Sequence, residues 1–165
     1  MTIRVGLGYD VHQLKAGRPC VLGGVTFESA LGPDGHSDAD VLLHAVCDAI
    51  LGAAGLRDIG FHFPNTDQSF KNADSRNLLK EVMLLVSEKG YRVGNVEATV
   101  VSEQPKISPK IFEIKQSIAN LCQIDTNDVG VKATTSEKLG FIGREEGIEA
   151  QAVVEEVVRR LNDPV

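Results

Sequence analysis

The sequence predicts one domain over residues 1–165, of the α/β or α+β class, in which a mixed β-sheet carries helices on one face. Three observations lead there. Short β-branched segments interleave with segments of helical periodicity along the chain, so strands and helices alternate instead of segregating. With 165 residues, 42% of them hydrophobic and 24% charged, the chain can bury roughly 70% of the surface its unfolded form exposes, and needs no covalent staples. No repeat, low-complexity stretch or linker divides it.

The elements follow in order. Ile3 to Tyr9 and Val21 to Phe27 are β-branched and broken by glycine, which predicts two strands with Lys15 to Pro19 as their turn. From Ser37 the period changes: Val41, Leu42, Ala45, Val46, Ala49 and Ile50 recur at helical spacing up to Gly52 or Gly55, and Ser37-x-x-Asp40 reads as a capping box. Leu56 to Asn72 is a loop without periodicity, and loops that long in a compact domain are usually functional. Asp74 or Ser75 caps a helix with Leu78, Leu79, Val82, Leu85 and Val86 inward, ended by Gly90. Val96 to Val101 is a strand, and Ser108-Pro109 supplies a cap and a first-turn proline before Ile111, Phe112, Ile118 and Leu121. Val129 to Ala133 alternates as a strand and is followed by a polar loop. At the end, Ile148, Ala150, Ala152 and Val154 alternate like a strand, while Ala150, Val153, Val154, Val157, Val158 and Leu161 fit a helix face; the strand is preferred.

The charge balance excludes some functions. Seventeen Lys and Arg against 23 Asp and Glu leave a net charge of −6 and no basic run, so nucleic acid is an unexpected partner and an anionic substrate must be held by a local device. Cys20, Cys47 and Cys122 are odd in number and widely spaced, which argues for small buried hydrophobes rather than disulfides or a thiolate zinc site. No apolar stretch is long enough to span a membrane and the N-terminus lacks a signal-peptide core, so a cytoplasmic protein is expected; a mature plastid form would read the same.

Asp10 and His12 lie two apart at the end of the first strand, where both side chains point to one face, and His44 falls beside the apolar stripe of the first helix. Two imidazoles and a carboxylate form a three-ligand zinc set with an open fourth position; a surface turn and a core histidine are the plainer reading of the same residues. Asp48, one turn beyond His44, either orients that imidazole or is a solvated helix-face carboxylate. Gly35-His36-Ser37 precedes the first helix, where backbone N–H groups would face a phosphate, or where Ser37 simply caps. After Val129 to Ala133, the run Thr134-Thr135-Ser136-Glu137-Lys138 offers hydroxyls and one acid, Glu137, suited to a hard cation, or is just a polar loop.

Taken together, Arg4-Val5-Gly6-x-Gly8-Tyr9-Asp10-x-His12, Gly23-Gly24-Val25, His36-Ser37-Asp38-x-Asp40-Val41-x-x-His44, Asp58-Ile59-Gly60 with Phe63-Pro64-x-Thr66-Asp67, Pro105-Lys106, and Lys132-Ala133-Thr134-Thr135-x-Glu137-x-Leu139-Gly140-Phe141 occur in the order and spacing of one family. From about residue 3 to 157 the chain resembles the 2-C-methyl-D-erythritol 2,4-cyclodiphosphate synthases. The resemblance implies conversion of 4-diphosphocytidyl-2-C-methyl-D-erythritol 2-phosphate into the cyclic diphosphate and CMP, in the non-mevalonate isoprenoid pathway. It implies zinc on Asp10, His12 and His44, and magnesium or manganese held on the substrate diphosphate by Glu137. His36 and Thr135 match positions that stabilise the transition state. Ser102, Pro105, Lys106, Ile107 and Ser108, with Ala133, Thr134, Thr135 and Ser136, match the cytidine pocket, within which Ser102-Glu103-Gln104 departs from the usual Ala-Gln-x or Leu-Gln-x. Asp58, Ile59 and Gly60 match ribose contacts; Phe63, Pro64, Asn65, Thr66 and Asp67 match the methylerythritol phosphate loop; His36 and Ser37 join the substrate contacts, and Phe141 and Arg144 complete the set. His62 matches no family role and reads as a solvated loop histidine. The resemblance also implies a homotrimer with sites between subunits. A zinc- and magnesium-dependent phosphohydrolase and a non-catalytic trimeric binder of isoprenoid diphosphates are the competing readings.

Overall fold

The computed structural model describes residues 2–158. Its main sheet has five strands in the order β4-β1-β7-β5-β6: β1 Thr2–Ala16, β4 Leu31–Asp34, β5 Tyr91–Val101, β6 Val129–Thr134 and β7 Gly147–Val158. Neighbours are antiparallel except β5 and β6, which run parallel. A separate hairpin pairs β2 Cys20–Leu22 with β3 Val25–Phe27. Helices α1 Val41–Ala54, α3 Ser75–Glu88 and α4 Ile111–Cys122 supply the apolar layer packed on the sheet, and one-turn helices α2 Ile59–His62 and α5 Gly140–Gly143 sit in the connections. The predicted mixed sheet with a helical layer is what forms.

The strand β1 is two-faced because side chains alternate. Gly6, Gly8, Asp10, His12 and Leu14 turn toward the helices, while Ile3, Val5, Leu7, Tyr9 and Val11 lie on the opposite face, 42–70% exposed. Helix α1 rests on the glycines: a Cβ at Gly6 would stand 1.8 Å from the Ala49 carbonyl oxygen and one at Gly8 1.8 Å from that of Ala45. The absent side chains let helix backbone approach strand backbone, which brings His44 over Asp10 and His12.

Several sequence expectations change, each through a partner far away in the chain. The first strand runs to Ala16 because β7 pairs it to Gln13 and β4 takes over from Gln13 to Ala16, so Asp10 and His12 lie inside a strand and not at its end. The expected strand Val21 to Phe27 is the β2–β3 hairpin, folded at Gly23 and Gly24 with φ of 64° and 76°, where glycine is the residue that turns without strain. Helix α1 is capped by Asp40 and not by Ser37: the buried Asp40 carboxylate accepts from Leu43 N–H at 3.0 Å and also from Gly23 and Gly24 N–H at 2.9 and 2.7 Å, tying the hairpin turn to the helix start. Gly35 to Ser37 therefore stand upstream of the helix N-terminus. The loop Leu56 to Asn72 contains α2 and a 3₁₀ turn at Gln68–Phe70. Ser108 makes no capping bond; a 3₁₀ turn Ser108–Lys110 leads into α4, whose Phe112 is 64% exposed while Ile114 takes the core position. Asp74 caps α3 as expected. The last segment is a strand; Leu161, in its alternative helical reading, lies outside the described residues. All three cysteines are buried, and burial raises their thiol pKa values, Cys20 to about 11 and Cys122 to about 12, so they are inert.

Candidate metal centre and nucleotide pocket

Asp10 and His12 share the helix-facing side of β1, and His44 descends from α1 onto them. His12 Nε2 lies 3.0 Å from Asp10 Oδ2, His44 Nδ1 lies 3.1 Å from the same oxygen, and the two ring nitrogens are 3.3 Å apart. Ligands on a tetrahedral zinc at ~2.0–2.1 Å stand about 3.3 Å from one another, so this triangle already has the size of one face of a zinc site.

The far side of each ring decides which nitrogen is free. His12 Nδ1 is 3.0 Å from the Asp34 carbonyl oxygen, which can only accept, so Nδ1 carries the proton and Nε2 keeps its lone pair toward Asp10. His44 Nε2 is 2.8 Å from Ser75 Oγ. The Ser75 hydroxyl donates to the Asp38 carboxylate, so its oxygen accepts from His44 Nε2–H and leaves the Nδ1 lone pair facing Asp10. Asp38 also accepts from Ser75 N–H at 3.0 Å, locking the start of α3 to the segment before α1. Two imidazole lone pairs and an anionic oxygen thus converge on one point, an arrangement that is repulsive until a proton or cation occupies it. Burial opposes the charged forms, yet when protons occupy that point in place of a cation, hydrogen bonds from the protonated His12 and His44 rings hold the Asp10 carboxyl below its usual range, and Asp10 raises His12. The residues fit a divalent metal ion.

Asp38 and Ser75 are visible in the sequence, as part of a motif and as a candidate cap, but the bond between them is not, because it joins positions 37 residues apart. Ser75→Ala is expected to loosen zinc roughly tenfold, the low end of the effect of removing a group that orients a ligand, because Ser37 Oγ stands 3.3 Å from the same nitrogen and takes over part of the bond. Competition with a chromophoric chelator measures it; unchanged affinity would show that Ser75 does not orient the ligand.

A cavity of about 310 Å³ opens beside the cluster, lined by Asp10, His12, His44, Gly35, His36, Ser37, Ile59, Gly60, Phe63, Asn65, Phe70 and Leu78. His36 reaches across it, its Nε2 3.0 Å from the Asp67 carbonyl oxygen, and so ties the segment before α1 to the loop of residues 56–72. A second, shallow cavity of about 110 Å³ is lined by Ser102, Glu103, Pro105, Lys106, Ile107, Ser108, Ala133, Thr134 and Thr135. The two share no lining residue.

The YgbB family model matches residues 3–156. The chain belongs to that family. It is 58% identical over 93% of its length to the 2-C-methyl-D-erythritol 2,4-cyclodiphosphate synthase of Cytophaga hutchinsonii, covering 96% of that protein, and 60% identical to the synthase of Phocaeicola vulgatus with the same two coverages. Among solved structures, the IspF of Plasmodium falciparum in complex with CDP superposes with a TM-score of 0.84 at 36% identity, over 96% of this chain and 97% of that one.

In this YgbB-family chain the remaining predicted site residues are scattered. Glu137 is exposed and stands outside the Asp10, His12 and His44 group, the metal-ligand cluster found among the described residues. Asp58 is exposed beside Arg57, outside the metal cavity, whereas Ile59 and Gly60 line it. Phe63 and Asn65 also line it; Pro64 and Thr66 do not, and Asp67 caps the 3₁₀ turn by accepting from Ser69 N–H at 2.9 Å. Phe141 packs over Gly147, and Arg144 pairs with Glu146 at 2.8 Å. Ser136 donates to the Leu139 carbonyl at 2.7 Å. Asp48 neither orients His44 nor stands free in solvent: its Oδ1 accepts from Ile59 N–H at 2.7 Å and holds α2 against α1. His62 is not a solvated histidine either, because its Nε2 donates to the Leu56 carbonyl at 2.6 Å and closes the same loop.

Proposed function

We propose that this YgbB-family chain catalyses the cyclisation of 4-diphosphocytidyl-2-C-methyl-D-erythritol 2-phosphate to 2-C-methyl-D-erythritol 2,4-cyclodiphosphate with release of CMP, as a single-domain enzyme of non-mevalonate isoprenoid biosynthesis in the bacterial cytoplasm. The observation that carries it is the Asp10, His12 and His44 triangle opening into a cavity of about 310 Å³, in a chain 58–60% identical to two synthases. No helix of the described residues is long and apolar enough to cross a membrane.

In this reaction an oxygen of the 2-phosphate attacks the β-phosphorus, and the bond from that phosphorus to the CMP oxygen breaks with its electron pair leaving on CMP. Both partners are anions, so positioning and charge neutralisation supply most of the catalysis and no nucleophilic side chain is required. Zinc on Asp10, His12 and His44, with magnesium or manganese on Glu137, would withdraw charge from the diphosphate oxygens. His36 and Ser37 hold the phosphate end in the metal cavity, with Phe63 to Asp67 closing over the methylerythritol moiety. Asp58 to Gly60 contact the ribose, Ser102 and Pro105 to Ser108 with Ala133 and Thr134 hold the cytosine, Thr135 donates to the diphosphate, and Phe141 and Arg144 complete the surround.

The metal cavity and the shallow cavity share no lining residue, which supports a site assembled from two chains. The bare apolar face of β1, Ile3 to Val11, together with Val153, supports further copies of the chain as its cover. A ring of three closes through heterologous contacts and gives about 53 kDa from chains of 17.8 kDa. Mixing His44→Ala with a Thr134→Ala, Thr135→Ala double variant, each inactive alone, is expected to restore activity in those clefts that carry neither lesion. Light scattering that shows a monomer, or no recovery after verified subunit exchange, would return the pocket to one chain.

Phosphorus NMR of the products tests the reaction itself. A cyclic diphosphate with CMP is expected, whereas open-chain phosphates alone would mean a hydrolase and binding without turnover a carrier. Glu137→Gln is expected to lower kcat more than it weakens CDP, since charge that develops in the transition state is felt mainly in the rate. Equal losses of the two would remove Glu137 from that role.

A further inference from the structure

Glu103 is charged, 5% exposed and outside every role assigned above. Burying a carboxylate is costly unless its oxygens are engaged, and here both are engaged by one residue, Lys138, across 35 positions of sequence. Oε1 accepts from the Lys138 N–H at 3.0 Å, and Oε2 lies 3.4 Å from Lys138 Nζ. Ser136 Oγ is 3.4 Å from Oε1, but its one proton goes to the Leu139 carbonyl at 2.7 Å. The Lys138 ammonium is 75% exposed, so the main-chain bond is the stronger hold. That bond keeps the Glu103 carboxyl below its usual range, and the group is an anion at neutral pH.

The turn it grips is one the chain does not favour locally. Glu137 and Lys138 are consecutive non-glycine residues with φ of 54° and 64°, a conformation that L-residues other than Asn and Asp visit reluctantly and seldom twice in a row. Such a pair persists only when the surroundings impose it. Gly143 permits it, since a Cβ there would stand 2.1 Å from the Lys138 carbonyl carbon. The Leu139 N–H bond to the Ser136 carbonyl at 3.0 Å closes it from within. Glu103 fastens it from outside, on a loop that lines the shallow cavity. The turn also carries Glu137.

We infer that Glu103 is a positioning residue: its carboxylate clamps the Ser136–Lys138 turn to the Ser102–Ser108 loop, setting the gap that a pyrimidine nucleoside diphosphate enters and aiming Glu137 at the cation on its phosphates. This rests on the reading of those two loops as the nucleotide pocket. The clamp touches neither nucleotide nor cation; it acts through Lys138 and Glu137.

The experiment compares Glu103→Ala and Glu103→Gln with the wild-type oligomer by calorimetric titration of CDP with and without Mn²⁺, alongside zinc content, thermal midpoint and hydrogen exchange of residues 134–140. Glu103→Ala is expected to lose at least tenfold in affinity for CDP with Mn²⁺ and to exchange faster in that segment, with zinc content and midpoint close to wild type. Glu103→Gln keeps an acceptor for the Lys138 N–H and is expected to stay within about threefold of wild type. Wild-type affinity in Glu103→Ala would overturn the inference, as would loss of zinc and of the folded state, which would make Glu103 a part of the core. A wild-type protein that binds no CDP would instead overturn the pocket reading, and the clamp's proposed purpose with it.

Discussion

Replacing His44 with alanine is expected to strip the metal and abolish turnover while the protein stays folded. The change leaves Asp10 and His12 as a two-ligand remnant, which cannot retain zinc against dilution. The imidazole sits at the margin of the core with 11% of its side chain exposed, so its removal takes little packing with it and leaves α1 capped by Asp40. Ser75 Oγ loses one hydrogen-bond donor, a cost of about 1 kcal/mol. Metal analysis, the phosphorus NMR assay and a thermal scan check the three parts. A variant that kept one zinc per chain and near-normal turnover would overturn the ligand assignment; one that unfolded would move His44 into the core.

Gly8→Ala is expected to act in the opposite way, by damaging the fold first and the site as a consequence. The added methyl would stand 1.8 Å from the Ala45 carbonyl oxygen and 2.7 Å from the Ala49 nitrogen, both backbone atoms of α1 that cannot rotate aside. The helix must lift from β1, opening voids beneath it, and the loss is expected to reach about 3 kcal/mol or more. In a chain of 165 residues that is a fall of roughly 10 °C in the thermal midpoint. Because His44 rides on α1, zinc affinity is expected to fall as well. An alanine variant with the wild-type midpoint would show that α1 does not need the bare glycine surface. Gly52→Ala is the control: it is exposed, with only the Leu7 carbonyl oxygen within reach, at 3.9 Å, and is expected to be harmless.

What the sequence alone determined lies where the deciding information is local. The helical period from Val41 to Ala54 and from Ser75 to Glu88 depends on residues three and four apart, and both helices form on that period, although the cap of α1 is Asp40 and not Ser37. Asp10 and His12 share a face because a strand has a period of two, and that parity holds wherever the strand ends. The order of glycines, histidines and hydroxyls along the chain was enough to suggest the family. Tertiary structure decided the rest, because pairing and burial depend on residues remote in the chain. The length of β1 is set by β7 and β4; the split of Val21 to Phe27 by the turn at Gly23 and Gly24, whose N–H groups end on Asp40; and the choice of Asp40 over Ser37 as cap by that same shared carboxylate. The free nitrogen of His44 is chosen by Ser75 and Asp38, and the strained turn before Leu139 is held by Glu103. A polar group's role is fixed by the partner it finds once water is excluded, and no period in the chain encodes which partner that is.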